Sequence, residues 1–192
     1  MILSDSDIKG ALATGLIVID PPPLAEHYQP SAVDIPLGRQ FQVWNVQETP
    51  GLTQTLDLSK QRFGITAKHW TKNAELDSEG CYLLKPYRHE PQVLLCQTLS
   101  RLSMPIDSML AARVEGRSSL ARLGLMVHLT APTIHAGFSG NITLEVMNHG
   151  PFTLRLVPGM MICQYIFECL KSKPGGPITT QFQNQSTPIG DK

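Results

Sequence analysis

Gly116-Arg117-Ser118-Ser119-Leu120-Ala121-Arg122-Leu123-Gly124 packs two guanidinium groups and two hydroxyls between flanking glycines. Arginine grips phosphate oxygens bidentately, hydroxyls donate to the same oxygens, and glycine lets backbone N–H groups approach a ligand closely. The stretch therefore reads as a candidate polyanion cradle, with an ordinary basic loop as the plain alternative. It is neither a phosphate-binding lysine loop nor a dinucleotide fingerprint, since the chain holds no Gly-Lys-Ser/Thr and no G-x-G-x-x-G.

Outward from this segment, strand signals dominate. From Asn141 to Met147 a period of two sends Ile142, Leu144 and Val146 to one face and Asn141, Thr143, Glu145 and Met147 to the other. Glu145 thus faces away from the aliphatic side, and as an isolated glutamate it reads first as a solvated strand residue. The runs Gln40 to Val46, Val93 to Thr98, Phe152 to Val157 and Met161 to Phe167 alternate with Pro, Gly and Asn, the pattern of a sandwich or barrel. Fifteen glycines and fifteen prolines suit many tight turns. Helix signals are few: Ser4, followed by Asp7, Ile8, Ala11 and Leu12, reads as a short capped amphipathic helix that Gly15 ends. Leu16 to Ile19 follows as a strand, closed by Asp20 and three prolines.

A chain of 192 residues with 42% hydrophobic content buries one substantial core and reads as a single domain, 1–192. Within it, 1–20 form the N-terminal helix and strand, while 49–75 lack a clean period and read as an excursion from the sheet. Residues 171–192, rich in Pro, Gly, Thr and Gln, read as a mobile tail unless something binds them. Acidic and basic residues balance at 16 each, so no global field draws the chain to nucleic acid or an anionic membrane. No basic segment leads into an apolar run at the N-terminus, and no stretch reaches the length of a membrane span. The expectation is a soluble cytoplasmic protein. Cys81, Cys96, Cys163 and Cys169 are scattered and read as buried free thiols in a reduced compartment. The His-x-Glu and Pro-Cys-x-x-Cys of zinc-dependent nucleoside deaminases are both missing, so no protein-bound zinc is expected. His128, after an apolar run, reads as a packed or gating histidine rather than a catalytic base.

The ordered series Arg117 to Ala131, then Gly137-Phe138-Ser139-Gly140 and Ile142-Thr143-Leu144-Glu145, resembles the core of the dCTP deaminases, in the trimeric dUTPase superfamily. Leu3 to Ile8, Gln29 to Asp34 with Leu37-Gly38, and Pro158-Gly159-Met160 leading to Gln164 are similar too, so the likeness runs to about residue 170. The resemblance implies a mainly β fold, a dUTPase-like distorted jelly roll or β-clip barrel with a short N-terminal helix, residues 171–192 serving as lid. It implies hydrolytic, zinc-independent deamination of dCTP to dUTP and ammonia, in the supply of dTTP precursors. Glu145 matches the family's general acid/base, with Ser118 and Arg122 as catalytic companions that position water near Ala131. A cleft would raise the Glu145 pKa by desolvation, and neighbouring arginines would oppose that shift. Arg117, Ser118 and Ser119 match the triphosphate contacts. Leu120, Ala121, Arg122, Ala131, His135, Phe138, Thr143, Leu144, Gln164 and Gln185 complete the implied substrate-binding positions. Mg²⁺ is expected on the nucleotide's phosphates, and sites are expected across the interfaces of a homotrimer.

Several positions depart from that pattern. His135 stands where family members usually place an aspartate that meets the 3′-hydroxyl and, in dUTP-hydrolysing relatives, serves the water attacking phosphorus. Thr133 replaces a basic or bulky residue, Phe138 keeps an aromatic, and Gln181 takes a lysine position in the closing segment, leaving Gln185 as its carried-over contact. A dUTP diphosphatase, a bifunctional enzyme and a non-catalytic nucleotide-binding homologue therefore stand as alternatives.

Overall fold

The computed structural model describes residues 1–46, 55–59 and 63–190; the expected excursion at 49–54 and 60–62, and the last two tail residues, lie outside the described residues. Helix α1 (Asp5–Ala13) leads into β1 (Val18–Asp20), β2 (Tyr28–Gln29) and the long β3 (Ala32–Trp44). After α2 (Phe63–Trp70) come β4 (Thr71–Asn73), β5 (Tyr82–Leu84), β6 (Leu94–Ser103) and β7 (Leu110–Gly116). The single turn α3 (Ser118–Ala121) precedes β8 (Leu125–Met126), β9 (Thr133–Ile134), β10 (Ser139–Asn148), β11 (Leu154–Leu156) and β12 (Met161–Cys169). The expected mainly β architecture is the one observed. Ten described strands form one curled sheet, ordered β8-β10-β6-β3-β12-β7-β9, with β1 on β6 and with β2 and β4 on β3. Strands β5 and β11 form a separate pair.

Local chemistry explains the elements. Ser4 caps α1: its hydroxyl accepts the Asp7 N–H at 3.2 Å, while the Asp7 carboxylate accepts the Ser4 N–H at 3.0 Å. Ile8 and Ala11 then turn into the core, and Gly15 ends the helix at φ +74°. Strand β3 begins eight residues before the apolar run that signals it, and Pro36 lies inside it. Proline has no N–H for the ladder, and the pairing with β12 shifts register there, Met161 facing Pro36 and Cys163 facing Ile35. The alternation read in β10 holds, with Ile142, Leu144 and Val146 buried in a core shared with Leu37, Leu94, Tyr165 and Phe167.

Three readings are corrected. Thr71–Asn73, placed in the excursion, returns to the sheet as β4 beside Gln42 to Trp44, with the Thr71 hydroxyl donating to Gln42 Oε1 at 2.8 Å. Three residues are too few to reveal a period. Cys169, at the exposed end of β12, is not buried with Cys81, Cys96 and Cys163. The segment read as a mobile tail is laid along the sheet as far as residue 190. Gln185 is buried there, donating to the Asn141 carbonyl at 2.7 Å, and the Asn141 N–H donates to the Gln185 carbonyl at 3.0 Å. Composition counts amide side chains as solvated, yet they pair well with open backbone groups.

The cradle loop is pressed against the turn after β10. Gly124 sits at φ +91°, its carbonyl accepts the His149 N–H at 2.8 Å, and a Cβ added there would lie 2.1 Å from the Gly150 nitrogen. A left-handed alanine and the backbone overlap act together. Gly124→Ala should therefore lower unfolding free energy by more than about 2 kcal/mol. Chemical denaturation checks this, and an unmoved midpoint would contradict it.

Candidate active site

A cavity of about 510 Å³ opens where the segment leading through β9, the middle of β10 and the tail meet. Glu145 points into it from β10, on the face opposite the core, as the alternation required. Burial pushes the Glu145 carboxyl up from its ordinary value of 4.5. Backbone hydrogen bonds from Leu129 and from Glu145 itself, and the nearby His128, pull the other way without cancelling that rise. Such a carboxyl can hold and release a proton closer to neutrality than a solvated glutamate. His128 lines the same cavity, as the packed position read for it allows. Its Nε2 is 3.8 Å from the Glu115 carboxylate, and its buried Nδ1 has no hydrogen-bond partner among the described residues.

Ala131, His135, Phe138, Thr143 and Gln185 surround the carboxylate in this cavity. His135 is exposed at its edge, whereas Phe138 is buried and its ring closes one wall. The Thr143 hydroxyl donates to the Pro188 carbonyl at 3.1 Å, tying the tail over the site. The Leu144 side chain is fully buried in the core, so at that position only backbone is available to a ligand. Among the described residues, no group of three or more His, Cys, Asp or Glu side chains could hold a metal ion.

The cradle lies elsewhere in the chain. None of residues 117–122 lines the Glu145 cavity. Arg117 stands at the start of α3; its Nη1 donates to the Met161 carbonyl at 3.3 Å and its Nη2 reaches Asp34 Oδ2 at 3.2 Å. Ser118, Ser119, Ala121 and Arg122 are exposed beside it, while Leu120 packs against the core. Gln164 belongs with this group rather than with Glu145: its Nε2 donates to Asp34 Oδ1 at 2.7 Å. One chain thus carries two separate features, a cavity with a titratable carboxylate and an exposed cationic loop.

Two contributors escaped the sequence reading. Phe63, at the start of α2, lines the cavity and meets the tail ring of Phe182 edge-on, with centroids 5.6 Å apart. No local signal marks it. Asp34 could have been found, because a lone carboxylate in the apolar run Ala32 to Leu37 must be paired if that strand is buried.

Comparison with known proteins bears on the cavity and the loop. A family model described as dCTP deaminase-like matches residues 2–170. The dCTP deaminase of Rhodospirillum rubrum is 38% identical over 196 residues, covering 98% of this chain and 95% of that protein. A protein of Methanosphaera stadtmanae named dCTP deaminase, dUMP-forming, is 38% identical over 178 residues, covering 92% of this chain and 83% of its own. In solved structures, 2′-deoxycytidine 5′-triphosphate deaminase from Agrobacterium tumefaciens aligns with a TM-score of 0.64 and 19% identity, over 88% of this chain. The alignment spans 47% of that solved chain, and at this identity it speaks for the fold. The arginine–serine loop and the strand that presents Glu145 both fall inside the matched span, and the chain belongs to the dCTP deaminase-like family, a family of enzymes.

Proposed function

We propose that this protein hydrolyses the 4-amino group of dCTP, giving dUTP and ammonia, as a step in the supply of dTTP precursors. The observation that carries this reading is the Glu145 carboxyl, desolvated at the wall of a 510 Å³ cavity in a chain of this family. The pyrimidine lies in that cavity, against Phe138 and the backbone near Ala131. Glu145 takes a proton from water as the oxygen attacks C4, and passes it to N3. The new C4 hydroxyl then gives its proton through Glu145 to the amino group, so that the C4–N bond breaks, ammonia leaves and the C4 carbonyl forms. Arg117, Ser118, Ser119 and Arg122 hold the triphosphate, which brings Mg²⁺ as its own companion. Water activation needs no zinc held by the protein, which is consistent with a sequence lacking the zinc-deaminase ligand motifs. Because cradle and cavity lie apart within one chain, the complete site forms across an interface of a homotrimer, Ser118 and Arg122 of one copy meeting Glu145 of another.

A relative named as dUMP-forming raises the question of pyrophosphate release. His135 favours deamination alone. It occupies the position where the resemblance implies a carboxylate serving attack on phosphorus, and it brings no carboxylate to that position.

The expected results are specific. Glu145→Gln should lower kcat for ammonia release by about a hundredfold or more while dCTP binding is largely kept, since the amide holds the shape but moves no proton. Retention of a tenth of the turnover would contradict the assignment. The ionised carboxyl is the base and burial raises its pKa, so the acid limb of kcat/KM should lie above 4.5 and activity should fall as pH drops through it. A limb at or below the ordinary value would remove the link between burial and catalysis. Mixing Arg122→Ala subunits with Glu145→Gln subunits should restore activity, because some interfaces then hold two intact halves; no recovery after demonstrated subunit exchange would refute the shared site. Finally, dCTP should yield ammonia and dUTP should yield almost no pyrophosphate, whereas rapid pyrophosphate release would show that another group replaces the missing carboxylate.

A further inference from the structure

We infer that Asp34 is a positioning residue for the phosphate grip, a buried carboxylate that holds the Arg117 guanidinium in the orientation in which it meets a polyphosphate. The inference rests on the proposed role of the cradle and goes one layer beneath it. Asp34 is 4% exposed on β3 and gathers donors from three separate segments. Gln29 Nε2 lies 3.2 Å from Oδ2, Gln164 Nε2 lies 2.7 Å from Oδ1, and Arg117 Nη2 lies 3.2 Å from Oδ2. The two amides carry no charge, so Arg117 is the cation that compensates the buried anion. A buried carboxylate left without its counter-ion is costly, and that cost resists any swing of Arg117 into solvent.

The pair is lopsided in a way that suits a ligand. The Asp34 side chain is 5% exposed and the Arg117 side chain 32%. Asp34 and the Met161 carbonyl engage Nη2 and Nη1, and the remaining donors of the five-donor fork stay available. Exposed Ser118, Ser119 and Arg122 follow directly in the chain. A guanidinium fixed before the ligand arrives loses less rotamer entropy on binding, which raises affinity without a new contact. Gln164, which the resemblance placed on the substrate, contributes here by locking Asp34 on its other oxygen.

Calorimetry with inorganic tripolyphosphate tests this on the full-length protein. Asp34→Asn keeps the shape but removes the charge, and should weaken tripolyphosphate binding by about tenfold. In an Arg117→Ala background the same change should cause no further loss, because the two residues act as one unit. Should Asp34→Asn fail to fold, Gln164→Met leaves the ion pair in place but frees one side of Asp34, and should weaken binding by about threefold. Unchanged or tighter binding in these variants, additive losses in the double variant, or wild-type protein that does not bind tripolyphosphate would each overturn the assignment. With dCTP as substrate, Asp34→Asn should raise KM while kcat stays within about threefold, and a fall in kcat at unchanged KM would also overturn it. Lack of any dCTP turnover would refute the proposed reaction alone, because the tripolyphosphate measurement reads the grip without catalysis.

Discussion

Glu145 is held on a strand whose opposite face is sealed. Ile142, Leu144 and Val146 fill the core from β10, and Leu144 and Val146 are fully buried. Turning the carboxylate inward would require a one-residue slip that pulls the fully buried Leu144 and Val146 out of the core. Their burial therefore fixes the direction of the one acidic group on which the proposed chemistry depends. The same geometry removes that group from water, since the tail, Phe138 and the segment around β9 close over the face it occupies. Core packing, carboxylate direction and pKa shift are three results of one alternation.

Two acidic residues in this protein are treated in opposite ways. Asp34 is buried with a guanidinium and two amides, so its charge is compensated and it serves geometry. Glu145 has backbone hydrogen bonds but, among the described residues, no ion pair, so burial penalises its charge and raises its pKa above the ordinary value. The contrast separates function by position: the paired carboxylate belongs to the cradle, the unpaired one to the cavity. Their separation within one chain is the observation on which the proposed interface-built site rests.

Much of this was legible in the residues themselves. The Ser4–Asp7 cap, the two faces of β10 and the apolar runs of β6 and β12 are local patterns, and local patterns fix them. Strand β7 is less plain, because Arg113 and Glu115 interrupt the apolar series that Leu110, Ala112 and Val114 carry on the buried face. The cradle's chemistry was readable from composition, whereas its anchor was not: Asp34 and Arg117 are 83 positions apart, and Gln164 reaches the same carboxylate from β12. The tail's docking was hidden for a related reason. Gln185, Asn184 and Gln183 look solvated until Asn141 and Arg101 of the sheet, and Gly137 in the turn before β10, supply partners. Leu144 shows the limit of transferring a motif residue by residue, since its neighbour Glu145 faces the cavity while its own side chain faces the core.

The most direct test of the central claim is a crystal structure of the Glu145→Gln protein with dCTP and Mg²⁺. The account predicts the cytosine ring beside Phe138 and Ala131, with C4 one water molecule from the amide at position 145, and the phosphates on Arg117, Ser118 and Arg122 of an adjoining copy. A cytosine bound outside this cavity, or phosphates held away from the arginine–serine loop, would contradict it.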